Sequence, residues 1–245
     1  MHRCFIEKQH WSGSCATPSP AEAHHICHVL RARDGESVRL FDGTGTEATA
    51  LLHIAEGSVR LEIQALNPPS ERGLDIVLIQ AILKGNRMDW LIEKATELGV
   101  SRIVPVITKR VIPRGSDDGG SQKQERWQRI AVSAAKQCGT PWLPVIDPPT
   151  ALESAIHAAV SGGPVLVGAL AGNPRSLAAE IDRWRPQAVG RIAIVIGPEG
   201  DLTPEETDAL LEAGCIPVSF GTLVLRAETA ALFAISALGC MLNRR

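Results

Sequence analysis

Two stretches in the last third of the chain constrain its fold more than any others. Residues 191–196, Arg-Ile-Ala-Ile-Val-Ile, form an apolar run that stops at Gly197-Pro198-Glu199-Gly200. Residues 216–220 form a second, which stops at Gly221 and continues as Thr222-Leu223-Val224-Leu225-Arg226-Ala227-Glu228-Thr229-Ala230. A short apolar run bounded by turn residues suits a strand buried on both faces. Each run is followed by a helix. The first helix starts with Thr203 as N-cap, Pro204 at the first helical position and Glu206 completing a capping box. The second spans residues 228–242 and is apolar on most sides, which predicts burial in a core or at a dimer interface. Strand, loop and helix in repetition predict a parallel sheet, and ligands of such sheets bind at the carboxyl ends of the strands. Glycine there lets the backbone turn sharply or approach a ligand closely.

The same rhythm starts earlier. Residues 74–83 are continuously apolar, Lys84-Gly85-Asn86 is a turn, and Met88, Leu91, Ile92, Ala95 and Leu98 then recur at helical spacing up to Gly99. Residues 102–108 form the next strand, which completes a βαβ unit. The polar, glycine-rich residues 114–122 are expected to be a loop, followed by a helix over 123–138 with Trp127, Ile130, Ala134 and Ala135 on its apolar stripe. Residues 144–146 and 164–170 read as strands, and 151–160 and 177–184 as helices. The expectation is an α/β domain over residues 71–245.

Residues 1–70 read differently. Three short strands, at 37–41, 46–54 and 59–65, predict a meander or small barrel, with Asp42-Gly43 as a turn and Pro68-Pro69 as a linker. Residues 21–33 are expected to be helical, with Ile26, Val29 and Leu30 on the apolar face. His24, His25, Cys27 and His28 crowd this helix. A zinc site normally needs properly spaced ligands and usually a second cluster, so no metal is expected.

Composition excludes several classes. The 25 Lys and Arg against 27 Asp and Glu give a net charge of −2, unlike proteins held to nucleic acid by bulk charge. An RNA substrate would need a local basic patch. Cys4, Cys15, Cys27, Cys138, Cys215 and Cys240 show no CxxC spacing, and there is no secretory apolar segment, so free thiols in the cytoplasm are expected. No apolar run approaches the roughly 20 residues that span a bilayer. A P-loop, an early GxGxxG turn, a Ser/His/Asp constellation and a zinc-hydrolase motif are all absent. What remains is a pocket built from the loops at 170–172, 197–200 and 220–226. It offers glycines, apolar side chains and peptide groups to a flat, partly polar molecule such as adenosine. Taken alone, Gly-Pro-Glu-Gly also reads as a plain turn.

Gly197-Pro198-Glu199-Gly200, followed some twenty residues later by Leu225-Arg226-Ala227-Glu228-Thr229-Ala230, resembles the signature of SPOUT methyltransferases. More narrowly, it resembles the RsmE family, which methylates N3 of a uridine in 16S ribosomal RNA. Lys84-Gly85-x-Arg87-Met88-x-x-x-Ile92-x-Lys94-Ala95-x-Glu97-Leu98-Gly99-Val100 and Ala135-Lys136-Gln137-Cys138-Gly139 extend the likeness. His24-His25-x-x-x-Val29-Leu30-Arg31 is similar to the family's N-terminal PUA-like domain. Three positions depart from the pattern: Asp201 where a second glycine is common, Leu223 where arginine is frequent, and Ala227 in place of threonine.

The resemblance implies a SPOUT-type parallel sheet with a C-terminal trefoil knot, preceded by a small PUA-like β-barrel domain over residues 1–70. It implies S-adenosyl-L-methionine as cofactor, held by Ala169, Leu170, Ile196, Gly197, Gly200, Phe220, Gly221, Val224 and Leu225. It implies chemistry at Arg226, Glu199 and Glu228, and RNA contacts at Arg31, Arg33, Lys84, Arg87 and Lys136. The expected partners are 16S ribosomal RNA in the small ribosomal subunit and a second copy of the chain, with no DNA or membrane. A salt bridge from Arg226 to Glu199 or Glu228 is the alternative to a catalytic arginine, and solvated helix ends are the alternative for Arg31 and Arg33. For the whole chain, a non-catalytic RNA-binding assembly factor and a SPOUT enzyme acting on transfer RNA or a ribose 2′-hydroxyl also stay open.

Overall fold

The computed structural model describes residues 1–55, 58–69, 71–110, 119–169, 174–184 and 189–242. The chain divides into two compact units. One is Met1–Arg72 with Val132–Leu143, and the other is Gly73–Ala131 with Pro144–Arg245.

The first unit contains β1 (Arg3–Phe5), β2 (Trp11–Ser12), β3 (Cys15–Ala16), α1 (Pro20–His24), β4 (Ser37–Phe41), β5 (Glu47–Ala55) and β6 (Ser58–Asn67). Its six strands form one sheet in the order β1-β4-β5-β6-β3-β2, with β1 parallel to β4 and the other pairs antiparallel. Alternating residues Val38, Leu40, Ala48, Ala50, Leu52, Val59 and Leu61 face a shared apolar core, the half-buried pattern of antiparallel strands. At the turn after β4, the Asp42 carboxylate accepts from the amides of Thr44 at 2.8 Å and Thr46 at 3.2 Å. Burial pushes the pKa of this carboxyl up, but those hydrogen bonds outweigh it, so the group titrates below its usual range.

The helix expected over 21–33 ends early. α1 passes into a π-helical turn over His25–Val29, where the Leu30 amide donates to the His25 carbonyl at 2.9 Å. The extra residue in this turn shifts the helical phase. Ile26 is buried as expected, whereas Val29 is 61% exposed and leaves the apolar face.

Part of α3 (Gly119–Cys138) also belongs to the first unit, since the division falls between Ala131 and Val132. Lys136 on this helix forms an ion pair with Glu22 of α1. Beyond the helix, Trp142 lies against the 43–45 turn, where a Cβ on Gly45 would come 2.3 Å from its ring. Residues 119–122, expected to be loop, are the first turn of α3; the 114–118 part of that expected loop lies outside the described residues.

The second unit contains β7 (Asp75–Ala81), α2 (Arg87–Glu97), β8 (Arg102–Ile107), the first part of α3, β9 (Val145–Ile146), β10 (Thr150–Ala151), α4 (Leu152–Val160), β11 (Val165–Gly168), β12 (Arg175–Ser176), α5 (Leu177–Trp184), β13 (Arg191–Ile196), α6 (Pro204–Glu212), β14 (Ile216–Ser219) and α7 (Ala227–Leu242). Its sheet is parallel throughout, in the order β10-β8-β7-β13-β11-β14-β12 with β9 beside β8. Alternation along the strands splits the core into two layers. Ile76, Leu78, Ile103, Ile192, Ile194 and Ile196 pack with α2, α3, α5 and α7. Val77, Ile79, Val104, Val106, Ala193 and Val195 pack with α4 and α6. The capping box at Thr203 is formed: its hydroxyl accepts from the Glu206 amide, and the Glu206 carboxylate accepts from the Thr203 amide.

The Glu22–Lys136 pair can be tested for its structural weight. The side chains are 10% and 16% exposed, and Glu22 also accepts from the Phe5 amide at 3.3 Å. Lys136→Met strands a shielded carboxylate and should cost about 3 kcal/mol of unfolding free energy, read by denaturant titration. Adding Glu22→Gln should recover most of that loss. Unchanged stability in the single variant would show the pair to be energetically idle.

Candidate cofactor and substrate site

β13, β11 and β14 are neighbours and run the same way, so Ile196, Gly168 and Ser219 end along one edge of the sheet. From β13 the chain continues to α6 on one face, and from β14 to α7 on the other. Divergence of this kind opens a crevice at the carboxyl ends of a parallel sheet. A cavity of about 800 Å³ occupies it, within the range of small-molecule sites.

Of the residues expected at the cofactor, Ala169, Ile196, Gly197, Phe220, Gly221, Val224 and Leu225 line this cavity. Gly200 is not among the lining residues, and Leu170 lies outside the described residues. Gly168, Pro174, Asp201, Ser219 and Ala230 line it as well and were not foreseen. Gly168 had a readable signal, a glycine closing a buried strand. A Cβ there would fall 2.8 Å from the Phe220 ring and 3.4 Å from Ile196 Cδ1. The Phe220 ring is in turn set by Phe233 of α7, with centroids 5.9 Å apart.

The turn after β13 is braced from its outer side. Arg110 donates to the carbonyl of Gly200 and, at 3.5 Å, to that of Asp201. Asp201 adopts φ +63°, the left-handed region that explains why glycine is common at this position in the resembling family. Aspartate tolerates it by bonding locally, and its Oδ1 accepts from the Leu202 amide at 2.8 Å. Gly221, at φ +125°, makes the corresponding turn after β14.

A second cavity of about 650 Å³ is lined by Lys84, Gly85, Asn86, Arg87, Trp90, Arg226, Glu228 and Thr229. Arg87 and Arg226 belong to both linings, so the two spaces adjoin. Glu199 is paired with Arg87 at 2.6 Å, so the brace foreseen between Glu199 and Arg226 is made from α2 instead. Arg226 is exposed and has no ion-pair partner among the described residues. Glu228 is 7% exposed, and its Oε2 has no hydrogen-bond partner among the described residues. It sits in the first turn of α7, where the helix dipole favours a negative charge. A buried oxygen left without a partner costs about 1–3 kcal/mol.

The residues expected at RNA separate. Lys84 and Arg87 stand at the second cavity. Arg31 and Arg33 are exposed on the first unit, and Lys136 is engaged by Glu22. No cysteine lines either cavity, and burial pushes the thiols of Cys4 and Cys215 up to about 12 and about 11, out of the nucleophilic range. Among the described residues, no group of three or more His, Cys, Asp or Glu side chains could hold a metal ion, and no helix is long and apolar enough to cross a membrane.

Comparison with known proteins agrees with this geometry. A family model described as an RNA methyltransferase domain matches residues 70–239, and one described as an RNA methyltransferase PUA domain matches residues 19–64. The ribosomal RNA small subunit methyltransferase E of Bacillus subtilis is 28% identical over 97% of this chain and 96% of its own. The crystal structure of the protein of that name from Neisseria gonorrhoeae, bound to S-adenosyl methionine, is 33% identical, covers 98% of this chain and 97% of its own, and superposes with a TM-score of 0.86. A putative methyltransferase from Legionella pneumophila, in complex with the same cofactor, is 31% identical over 98% of this chain and 97% of its own, with a TM-score of 0.87. With the α/β unit matched almost end to end and a solved relative above 30% identity, the chain belongs to the ribosomal RNA small subunit methyltransferase E family.

Proposed function

We propose that the protein transfers the methyl group of S-adenosylmethionine to N3 of a uridine in the 16S ribosomal RNA of the small ribosomal subunit, in the cytoplasm. One observation carries this reading. A glycine-lined cavity at the sheet edge adjoins a second one that holds an arginine without an ion-pair partner, and a buried carboxylate oxygen without a hydrogen bond, among the described residues. The first cavity fits the cofactor. Glycines at 168 and 197 leave space that a Cβ would fill, and Ala169, Ile196, Phe220 and Leu225 offer an apolar bed for an adenine. Leu170 and Val224 are proposed to close that bed, and the turns at Gly197–Gly200 and Gly221 to offer peptide groups to the polar edges.

S-adenosylmethionine supplies an activated methyl group on a sulfonium when bound. The protein's own task lies with the uracil. N3 carries a weakly acidic proton that must leave before nitrogen can act as a nucleophile. Glu228 Oε2 takes that proton, and the electron pair stays on N3 with its charge shared by the two flanking carbonyls. Arg226, exposed at the junction of the two cavities, stabilises this charge. Glu199, held by Arg87, fixes the shared wall and orients the base. Lys84, Arg87, Arg31 and Arg33 are proposed to meet RNA phosphates; Lys136 remains a candidate only if the Glu22 pair opens.

Two further features follow from the family. The C-terminal segment is proposed to be threaded as a trefoil knot, a rare arrangement, and the insertion of β11 between β13 and β14 supports it. A homodimer is proposed on the exposed apolar side chains Phe233 and Met241 of α7 and Leu223 and Val224 before it, and sedimentation at micromolar concentration tests it.

Mass spectrometry of 16S ribosomal RNA from a deletion strain, with and without the gene restored, tests the function directly. A 3-methyluridine that vanishes and returns is the expected result, and an unchanged RNA rejects the proposal. Arg226→Ala should lower turnover on small subunits by roughly 100-fold with little change in cofactor affinity or melting temperature. Glu228→Gln keeps the shape but cannot accept the proton, and should lower turnover at saturating substrate by about 100-fold or more. Near-normal turnover in either variant removes that residue from the mechanism. Gly197→Val should weaken cofactor binding in calorimetry by at least about tenfold, because its Cβ already lies 3.2 Å from Leu202 Cγ and branches into the cavity lining. Gly200→Ala, whose Cβ would meet only Arg110 Cδ at 3.6 Å, should bind as the parent does.

A further inference from the structure

α2 packs its apolar stripe, Met88, Leu91, Ile92 and Ala95, into the core of its unit. Trp90 stands off that stripe and is 46% exposed. Part of the ring is therefore open to a ligand. Around it, in one cavity, stand Lys84, Arg87 and Arg226, with the free Oε2 of the buried Glu228 in the same lining. An exposed aromatic face, cations on its rim and an unsatisfied carboxylate are what an unstacked nucleotide requires. The ring replaces the lost base stacking, Lys84 on the rim meets a phosphate, Arg226 faces the base, and the carboxylate accepts from an N–H on the base edge.

We propose that Trp90 is the stacking platform for a single unstacked pyrimidine, and that this cavity takes the target nucleotide out of its RNA stack. The inference deepens the proposed function and rests on it, and it assigns to Trp90 a role in substrate positioning. Glu228 also gives the cavity a preference. A carboxylate accepts from the N3–H of uracil, whereas cytosine presents a bare N3 acceptor at the same place and leaves the buried oxygen unsatisfied. Lys84 sits in the turn before α2, where Arg87 Nε donates to its carbonyl at 3.4 Å, so the cationic rim and the ring belong to one local structure.

The full-length protein is titrated with single-stranded hexauridylate and hexacytidylate, following tryptophan fluorescence, and initial rates are measured on small ribosomal subunits. Trp90→Ala should lose most of the quenching by hexauridylate and raise KM for small subunits roughly 5- to 100-fold, the span of one base–aromatic stack, with cofactor affinity unchanged. Trp90→Phe keeps a ring face and should restore most of the affinity. Hexacytidylate should bind the parent more weakly than hexauridylate, and Glu228→Gln should narrow that difference. The inference is overturned if Trp90→Ala matches the parent in quenching and KM. It is equally overturned if the variant's only defect is dissociation of a dimer in sedimentation, since the ring would then serve a subunit contact. If the parent methylates no small subunit, the function proposed above fails, while the oligonucleotide titrations still decide the stacking role.

Discussion

The site depends on the parallel pairing of β11 between β13 and β14. Val167 is in register with Val195 on one side and Pro217 on the other, and this pairing brings three loops to one edge. The pairing is fixed by burial on both faces. Side chains alternate between two helix layers, so a slip of one residue in β13 would exchange Ile194 with Val195 and misfit both layers at once. The loops at this edge thus take their positions largely from the strands' apolar packing, to which Leu202, Phe220 and Leu225 add anchors of their own. That is why they can carry glycines and an exposed arginine without loss of the fold.

Charge is divided among the loops in a way that separates bracing from chemistry. Arg110 holds the backbone of the turn after β13 from outside, and Arg87 neutralises Glu199 from α2. With both duties discharged, Arg226 needs no partner in the resting protein. A cation beside the N-terminus of α7 gains nothing from the helix dipole, which favours negative charge. Its exposure between two cavities is what the proposed role toward substrate charge requires.

Much of this was legible in the sequence, and the remainder failed for identifiable reasons. The strands at 75–81 and 191–196 and the helix of Met88, Leu91, Ile92 and Ala95 follow from periodicity alone, since burial dictates that spacing. The capping box at Thr203 is a local signal in which three residues settle the outcome. The apolar face at 26–30 was misjudged because a π-helical turn inserts one residue, and no composition rule announces it. The partner of Lys136 was invisible because Glu22 lies 114 residues away, and only tertiary packing brings the two together. The inclusion of 132–143 in the first unit was hidden for the same reason. Gly43 reads as a turn glycine, while part of its role is to make room for Leu143, as Gly45 does for Trp142. In the site, seven of the expected cofactor residues line the cavity because loops at strand ends can be located from strand ends.

Glu228 shows where folding and function part company. Its place in the first turn of α7 suits a carboxylate, which explains its tolerance in a helix that is otherwise apolar. That placement does not explain why one oxygen is buried without a hydrogen bond. A glutamine would keep the packing, and an apolar residue would remove the desolvation cost altogether, so stability alone selects against the residue found here. Glu228 and Trp90 meet in one cavity beside Arg226, which has no ion-pair partner among the described residues, and the proposed nucleotide would complete that arrangement. The proposed nucleotide would answer each of these features: a flat ring for the indole, an N–H for the carboxylate and a negative charge for Arg226.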